Sequence, residues 1–183
     1  MRKKAFLFVA LSLVFFVSSC SATKFLLKYA SEGDRNPGKI EDWVYTTERN
    51  SYRVAPLSQS WKEVPVEGGD MAFYNSVNDL IMTVSSVCAN RDYSLETLSN
   101  SLATGLSKKR MKLRKDIEIE GIRGLYTEYE ASLDNKIFFL ATVVYKSSKC
   151  DYDFSYSASP ADFEVNLGDF FDFLSGFQEL WAK

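Results

Sequence analysis

Histidine is missing from all 183 residues of this sequence, and that absence removes whole classes of chemistry. A serine or cysteine nucleophile has no imidazole to take its proton, so Ser-His-Asp and Cys-His arrangements are excluded. The HExxH zinc helix goes for the same reason. There is no GxGxxG turn or P-loop for a nucleotide and no EF-hand loop for calcium. Internal repeats and low-complexity tracts are also absent. Carboxylates remain. Asp151 and Asp153 stand two apart on an expected strand, and Asp169 and Asp172 share an expected helical face. Such pairs can do acid–base work or bind calcium, but charged outer faces are the common reading, and both pairs are expected to be solvated. The expectation is a protein that is not an enzyme and uses no metal or cofactor.

What the chain does have begins at its first residues. Arg2, Lys3 and Lys4 precede an uncharged apolar run from Ala5 to Val17, short for a bilayer span and followed by small residues. That is the layout of a secretory signal peptide. Val17-Ser18-Ser19-Cys20 resembles the lipobox of bacterial lipoproteins, in which the cysteine receives diacylglycerol and becomes the first residue of the mature chain. The resemblance implies residues 1–19 as leader and Cys20 as the lipidation site. Each buried acyl CH2 contributes about 0.8 kcal/mol, so two or three chains anchor stably where one is marginal. Ser21 after the cysteine implies the outer membrane, facing the periplasm.

Removing the three leader cations from 22 basic residues leaves 19 against 24 acidic ones, a net of −5. A mildly acidic chain of this kind is not a general nucleic-acid binder. With Cys20 committed to lipid, Cys88 and Cys150 remain as an even pair in an exported protein. They read as a disulfide or as two buried thiols, the bridge being favoured. The 14 Phe and 10 Tyr point to a sheet-rich core with large packing units.

Residues 20–42 read as a lipidated cysteine and flexible tether, and 43–183 as one globular domain. Ser51–Val54 is an expected strand. Met71–Asn75 and Leu80–Val87 form an expected hairpin across Ser76-Val77-Asn78-Asp79. Ser94 is a good N-cap, and Leu95, Leu98, Leu102 and Leu106 mark one helical face. That helix is expected to end near Lys109. A strand from Met111 is expected to bury Met111, Leu113, Ile117 and Ile119 and to turn Lys112 and Arg114 outward. A meander over 124–132, 137–145 and 150–157 follows. Ser159-Pro160 then reads as the start of a closing helix bearing Phe163, Leu167, Phe170, Phe171, Leu174 and Phe177.

One helix on each face of a central antiparallel sheet is an α+β, α-β-α sandwich. The order of elements resembles the PsbP/Mog1-like family. The resemblance lies in the opening Tyr52-Arg53-Val54 with Trp61, the Met71–Val87 hairpin, the leucine-laddered helix, the meander and the closing FEVNLGDFFDFLSGF. It covers residues 51–177 and rests on pattern rather than on a diagnostic motif. It implies a binding or assembly accessory, as in photosystem subunits, a Ran-binding nuclear-transport factor and exported lipoproteins.

Lys108, Lys109, Arg110, Lys112, Arg114 and Lys115 form a basic run on an otherwise acidic domain. It reads either as a solvated ridge, part of which complements the preceding helix's C-terminal dipole, or as a docking surface for an acidic partner or anionic phosphate head groups. Two functions stand at this point. One is a membrane-anchored envelope accessory that docks a protein partner. The alternative is a carrier that shelters a lipid or other apolar ligand between sheet and helix.

Overall fold

The computed structural model describes residues 38–48, 50–66, 69–88, 92–133 and 135–180. The expected leader, Cys20 and most of the expected tether lie outside the described residues. The fold begins before Trp43, however: β1 (Lys39–Glu41), inside the segment read as tether, pairs with β2 (Val44–Thr46). β3 (Ser51–Arg53) and the distant β11 (Gln178–Glu179) complete a four-stranded sheet in the order β1-β2-β3-β11.

The larger sheet has seven antiparallel strands in the order β4-β5-β6-β10-β9-β8-β7. They are β4 (Trp61–Glu63), β5 (Met71–Asn75), β6 (Leu80–Val87), β7 (Ser107–Ile119), β8 (Ile122–Leu133), β9 (Lys136–Lys146) and β10 (Asp151–Ala158). Helix α1 (Leu95–Leu102) lies on β8 and β9. Helix α2 (Phe163–Ser175) packs on the opposite face, placing Phe171 against Tyr126 and Phe173 against Phe154. The architecture is the α+β sandwich expected, with the small sheet added beside it.

Aromatic rings fill the layer between the large sheet and α2. Phe177, just past the helix, touches Tyr52, Tyr145, Tyr152 and Phe154, with ring centroids 4.8–5.9 Å apart. Tyr156 stacks on Phe163 and Phe170. Each such pair contributes about 0.5–1.5 kcal/mol beyond the burial of its area. Gly176 is required for this closure: a Cβ there would collide with the backbone of Ala55. A disulfide joins Cys88 to Cys150 with an S–S distance of 2.03 Å, linking the end of β6 to the start of its neighbour β10.

Three local expectations change. Helix α1 stops at Leu102, short of Lys109. Its Ser99-Asn100-Ser101 segment is a weak helix former, and Gly105 at φ +88° turns the chain out. Ser94 does cap it, accepting from Thr97 N at 3.2 Å. Helix α2 begins at Phe163 with Asp162 as its N-cap, so Ser159-Pro160 heads a turn before the helix instead of starting it. Strand β7 begins at Ser107 and carries register shifts between Ser107 and Arg110 and between Met111 and Leu113. The extra residue at Lys112 puts Met111 on the face of Tyr129, opposite to Leu113, Ile117 and Ile119. Met111 and Leu113, expected to be buried, are instead 52% and 40% exposed.

Candidate functional site

The basic run is the outer edge of the large sheet, and that placement gives most of its charges structural work. An unpaired edge is a template for aggregation, which natural sheets blunt with cations and bulges; the first half of β7 has both. Lys109 Nζ donates to Ala103 O at 3.0 Å, capping the end of α1. Arg110 pairs with Glu130 at 2.7 Å. Lys112 and Lys115 place their ammonium groups 4.0 Å and 5.1 Å from the ring centres of Phe139 and Tyr126, a favourable cation–π arrangement. Arg114 does not point outward. Its guanidinium donates to Thr127 Oγ1, Asn100 Oδ1 and Tyr129 OH at 3.2, 2.7 and 3.1 Å, tying α1 to the sheet. Lys108 sits at the first irregularity, with φ +49°. The six cations therefore share one edge, but Lys109, Arg110 and Arg114 are engaged internally.

A second constellation lies where the small sheet meets the large one, and no local pattern in the sequence announces it. Asp70, just before β5, accepts from Tyr52 OH at 2.8 Å and from Ser86 Oγ at 2.5 Å. Asn50 Nδ2 donates to the same Ser86 Oγ at 2.9 Å, and Tyr152 OH donates to Asn50 Oδ1 at 2.8 Å. Tyr45 lies beside the cluster, and its hydroxyl accepts from Gly38 N at 3.1 Å. Burial pushes the Asp70 carboxyl up to about 6, against the opposing hydrogen bonds from Ser86, Tyr52 and Tyr45. Burial, followed by the Asp70 charge, holds the Tyr52 phenol well above its ordinary range. The residues come from β2, β3, β6, β10 and two loops, so only the tertiary fold assembles them.

The acidic pairs are not the solvated faces expected. Asp151 is buried, and Asp153 Oδ1 is shut away from solvent with no hydrogen-bond partner. Burial, then the charges of Asp151 and Asp70, push Asp153 up to about 7. Asp169 Oδ2 accepts from Trp61 Nε1 at 2.9 Å, pinning β4 to α2, while Asp172 stays exposed. Among the described residues no three His, Cys, Asp or Glu side chains form a metal-sized group. No described helix is long and apolar enough to cross a membrane.

No family model and no curated protein matches the chain. Solved structures do. LpqN of Mycobacterium tuberculosis, described as involved in cell envelope biogenesis, is similar at TM-score 0.58 and 8% identity, over 73% of this chain and 87% of its own. Cyanobacterial PsbP from Synechocystis is similar at TM-score 0.51 and 13% identity, over 81% of this chain and 95% of its own. The fold is PsbP-like. A protein from Bacteroides thetaiotaomicron shares it at TM-score 0.52 and 11% identity, over 81% of this chain and half of its own.

Within this PsbP-like frame the two constellations differ in what they offer. The Asp70 cluster is enclosed and holds the two sheets together. The β7 edge faces solvent and has backbone groups to spare.

Proposed function

We propose that this is a non-catalytic accessory protein of the cell envelope, held at the membrane by lipid on Cys20, that docks a protein partner. The observation that carries the reading is the first half of β7. There Lys108, Lys112 and the 52%-exposed Met111 stand on an outer, bulged edge of an acidic domain. Exposed cations around an exposed methionine suit an acidic protein surface with an apolar centre. Envelope placement is supported by the leader, by the lipobox-like Cys20 and by the fold shared with LpqN. Carriage of an apolar ligand loses support because aromatic rings occupy the layer between sheet and α2, where such a ligand would have to lie.

The test is a crosslinking pulldown of the full-length protein from its own envelope, comparing wild type with Lys108→Glu/Lys112→Glu at low and high salt. Capture should fall in the variant and weaken with salt, since exposed charges are screened beyond about 8–10 Å. The melting temperature should fall only slightly, because exposed charges contribute about 0–1 kcal/mol and the Lys112 contact with the Phe139 ring about 0.5–1 kcal/mol. Undiminished capture by the folded variant removes this edge from the reading. Labelling with a palmitate analogue should mark wild type and not Cys20→Ala; equal labelling removes the anchor.

A further inference from the structure

The second half of β7 differs from the first. From Leu113 to Ile119 its pairing with β8 is regular. It ends in the two-residue turn Glu120-Gly121, both at positive φ (51° and 77°), joining the facing residues Ile119 and Ile122. A turn of this kind closes on a pair that exchanges both backbone hydrogen bonds. Alternation then directs the backbone groups of Ile119, Ile117, Lys115 and Leu113 toward β8. Those of Glu118, Asp116 and Arg114 point off the sheet, on its outermost strand.

We propose that this edge pairs antiparallel with the same stretch of a second copy of the chain, centred on Asp116. In that register the outward residues meet one another. Arg114 faces Glu118 of the second copy, Asp116 faces its own counterpart, and Glu118 faces Arg114 of the second copy. The three narrow pairs supply six backbone hydrogen bonds. Two of them bring opposite charges together across the seam, the Arg114 guanidinium keeping its bonds to Thr127, Asn100 and Tyr129 within its own copy. The repulsion between the two Asp116 side chains is relieved within each copy by Arg123, 3.1 Å away. On the other face, Leu113, 40% exposed, meets Ile119 of the second copy. Shifting the centre to Lys115 would bring the bulge at Lys112 into the ladder and set two lysines opposite each other. The edge is thus self-complementary in charge, apolarity and backbone polarity in one register. The inference goes beyond the docking reading and uses a different half of the strand.

The experiment places Asp116→Cys in the full-length chain and oxidises intact cells, with Val165→Cys, 81% exposed on α2, as control. Both variants keep Cys20, so the difference between them isolates position 116. A disulfide-linked band at twice the protomer mass, about tenfold stronger for Asp116→Cys, is expected. Equal bands, or an adduct of Asp116→Cys to a protein of another mass, overturn the proposal. With Asp116 intact, sedimentation velocity of the purified protein should show a concentration-dependent dimer. Glu118→Lys, setting like charges opposite Arg114 twice, should weaken it about tenfold. A monomer at every concentration, or a dimer indifferent to Glu118→Lys, also overturns it. Capture of an acidic partner through Lys108 and Lys112 is unaffected by Glu118→Lys, which keeps the two readings separable.

Discussion

Replacing Asp70 with asparagine should remove part of the stability loss that the protein shows as pH rises from 5 to 8. The folded state raises the Asp70 carboxyl from its ordinary 3.8 to about 6, so the folded chain keeps a proton that the unfolded chain has released. Stability from this group is greatest below about pH 4 and is lost as pH rises through about 6. The whole effect is about 3 kcal/mol, at about 1.4 kcal/mol per pH unit. Between pH 5 and pH 8 the share still to be lost is about 1.4 kcal/mol, because the loss levels off once the folded carboxyl ionises. Asparagine keeps an oxygen to accept from Tyr52 and Ser86 and carries no charge. Asp153 titrates in the same sense in both proteins; the Asp70 charge is the smallest contributor to its upward shift, so losing that charge in the variant acts in the same direction as the effect tested. Urea or thermal melts at pH 5 and pH 8 should therefore show Asp70→Asn gaining about 1.4 kcal/mol on wild type across that interval, or about 3–6 °C in Tm. Parallel pH profiles for the two proteins, or a relative loss by the variant at pH 8, would refute the reasoning.

Two further outcomes follow from the packing. Replacing both Cys88 and Cys150 by serine opens a loop with a sequence separation of 62; chain entropy sets the cost at about 4 kcal/mol, read as a drop in urea midpoint, and the unreduced wild-type domain should show neither thiol reactive. Arg114→Met should destabilise by about 1–3 kcal/mol, because Asn100, Thr127 and Tyr129 lose a charged donor, whereas Lys108→Met should shift the melt by less than about 0.5 kcal/mol.

Where local pattern and tertiary context agree, the chain could be read directly. The β5–β6 hairpin falls at Met71–Asn75 and Leu80–Val87, as its alternation and turn residues predict. The cysteine pair and the aromatic face of α2 were legible for the same reason. Strands as short as β1, β2 and β11 carry no period, so of the small sheet only β3 was legible. Leu106 continues the leucine spacing of α1, yet it reaches its buried place through a turn at Gly105 and not through another helical turn. Arg114 was misread because the face of β7 opposite Leu113, Ile117 and Ile119 is covered there by α1, whose Asn100 meets the guanidinium. Met111 was misread because a bulge at Lys112 exchanges the faces before it, and a bulge has no composition of its own. The Asp70 cluster joins residues from Tyr45 to Tyr152, and a separation of that kind has no sequence signature.

The last strand of the small sheet has a kinetic meaning. β3 has β2 beside it in sequence, but its other neighbour is β11, with Gln178 opposite Arg53 and Glu179 opposite Tyr52. Local pairing can form β1, β2 and β3 early, while closure of that sheet waits for residues that follow every strand of the large one. Loop closure over such a span must be met before the contact returns anything, which makes it a slow, late event. Until then Tyr52 and its bond to Asp70 stand at an open edge of the small sheet.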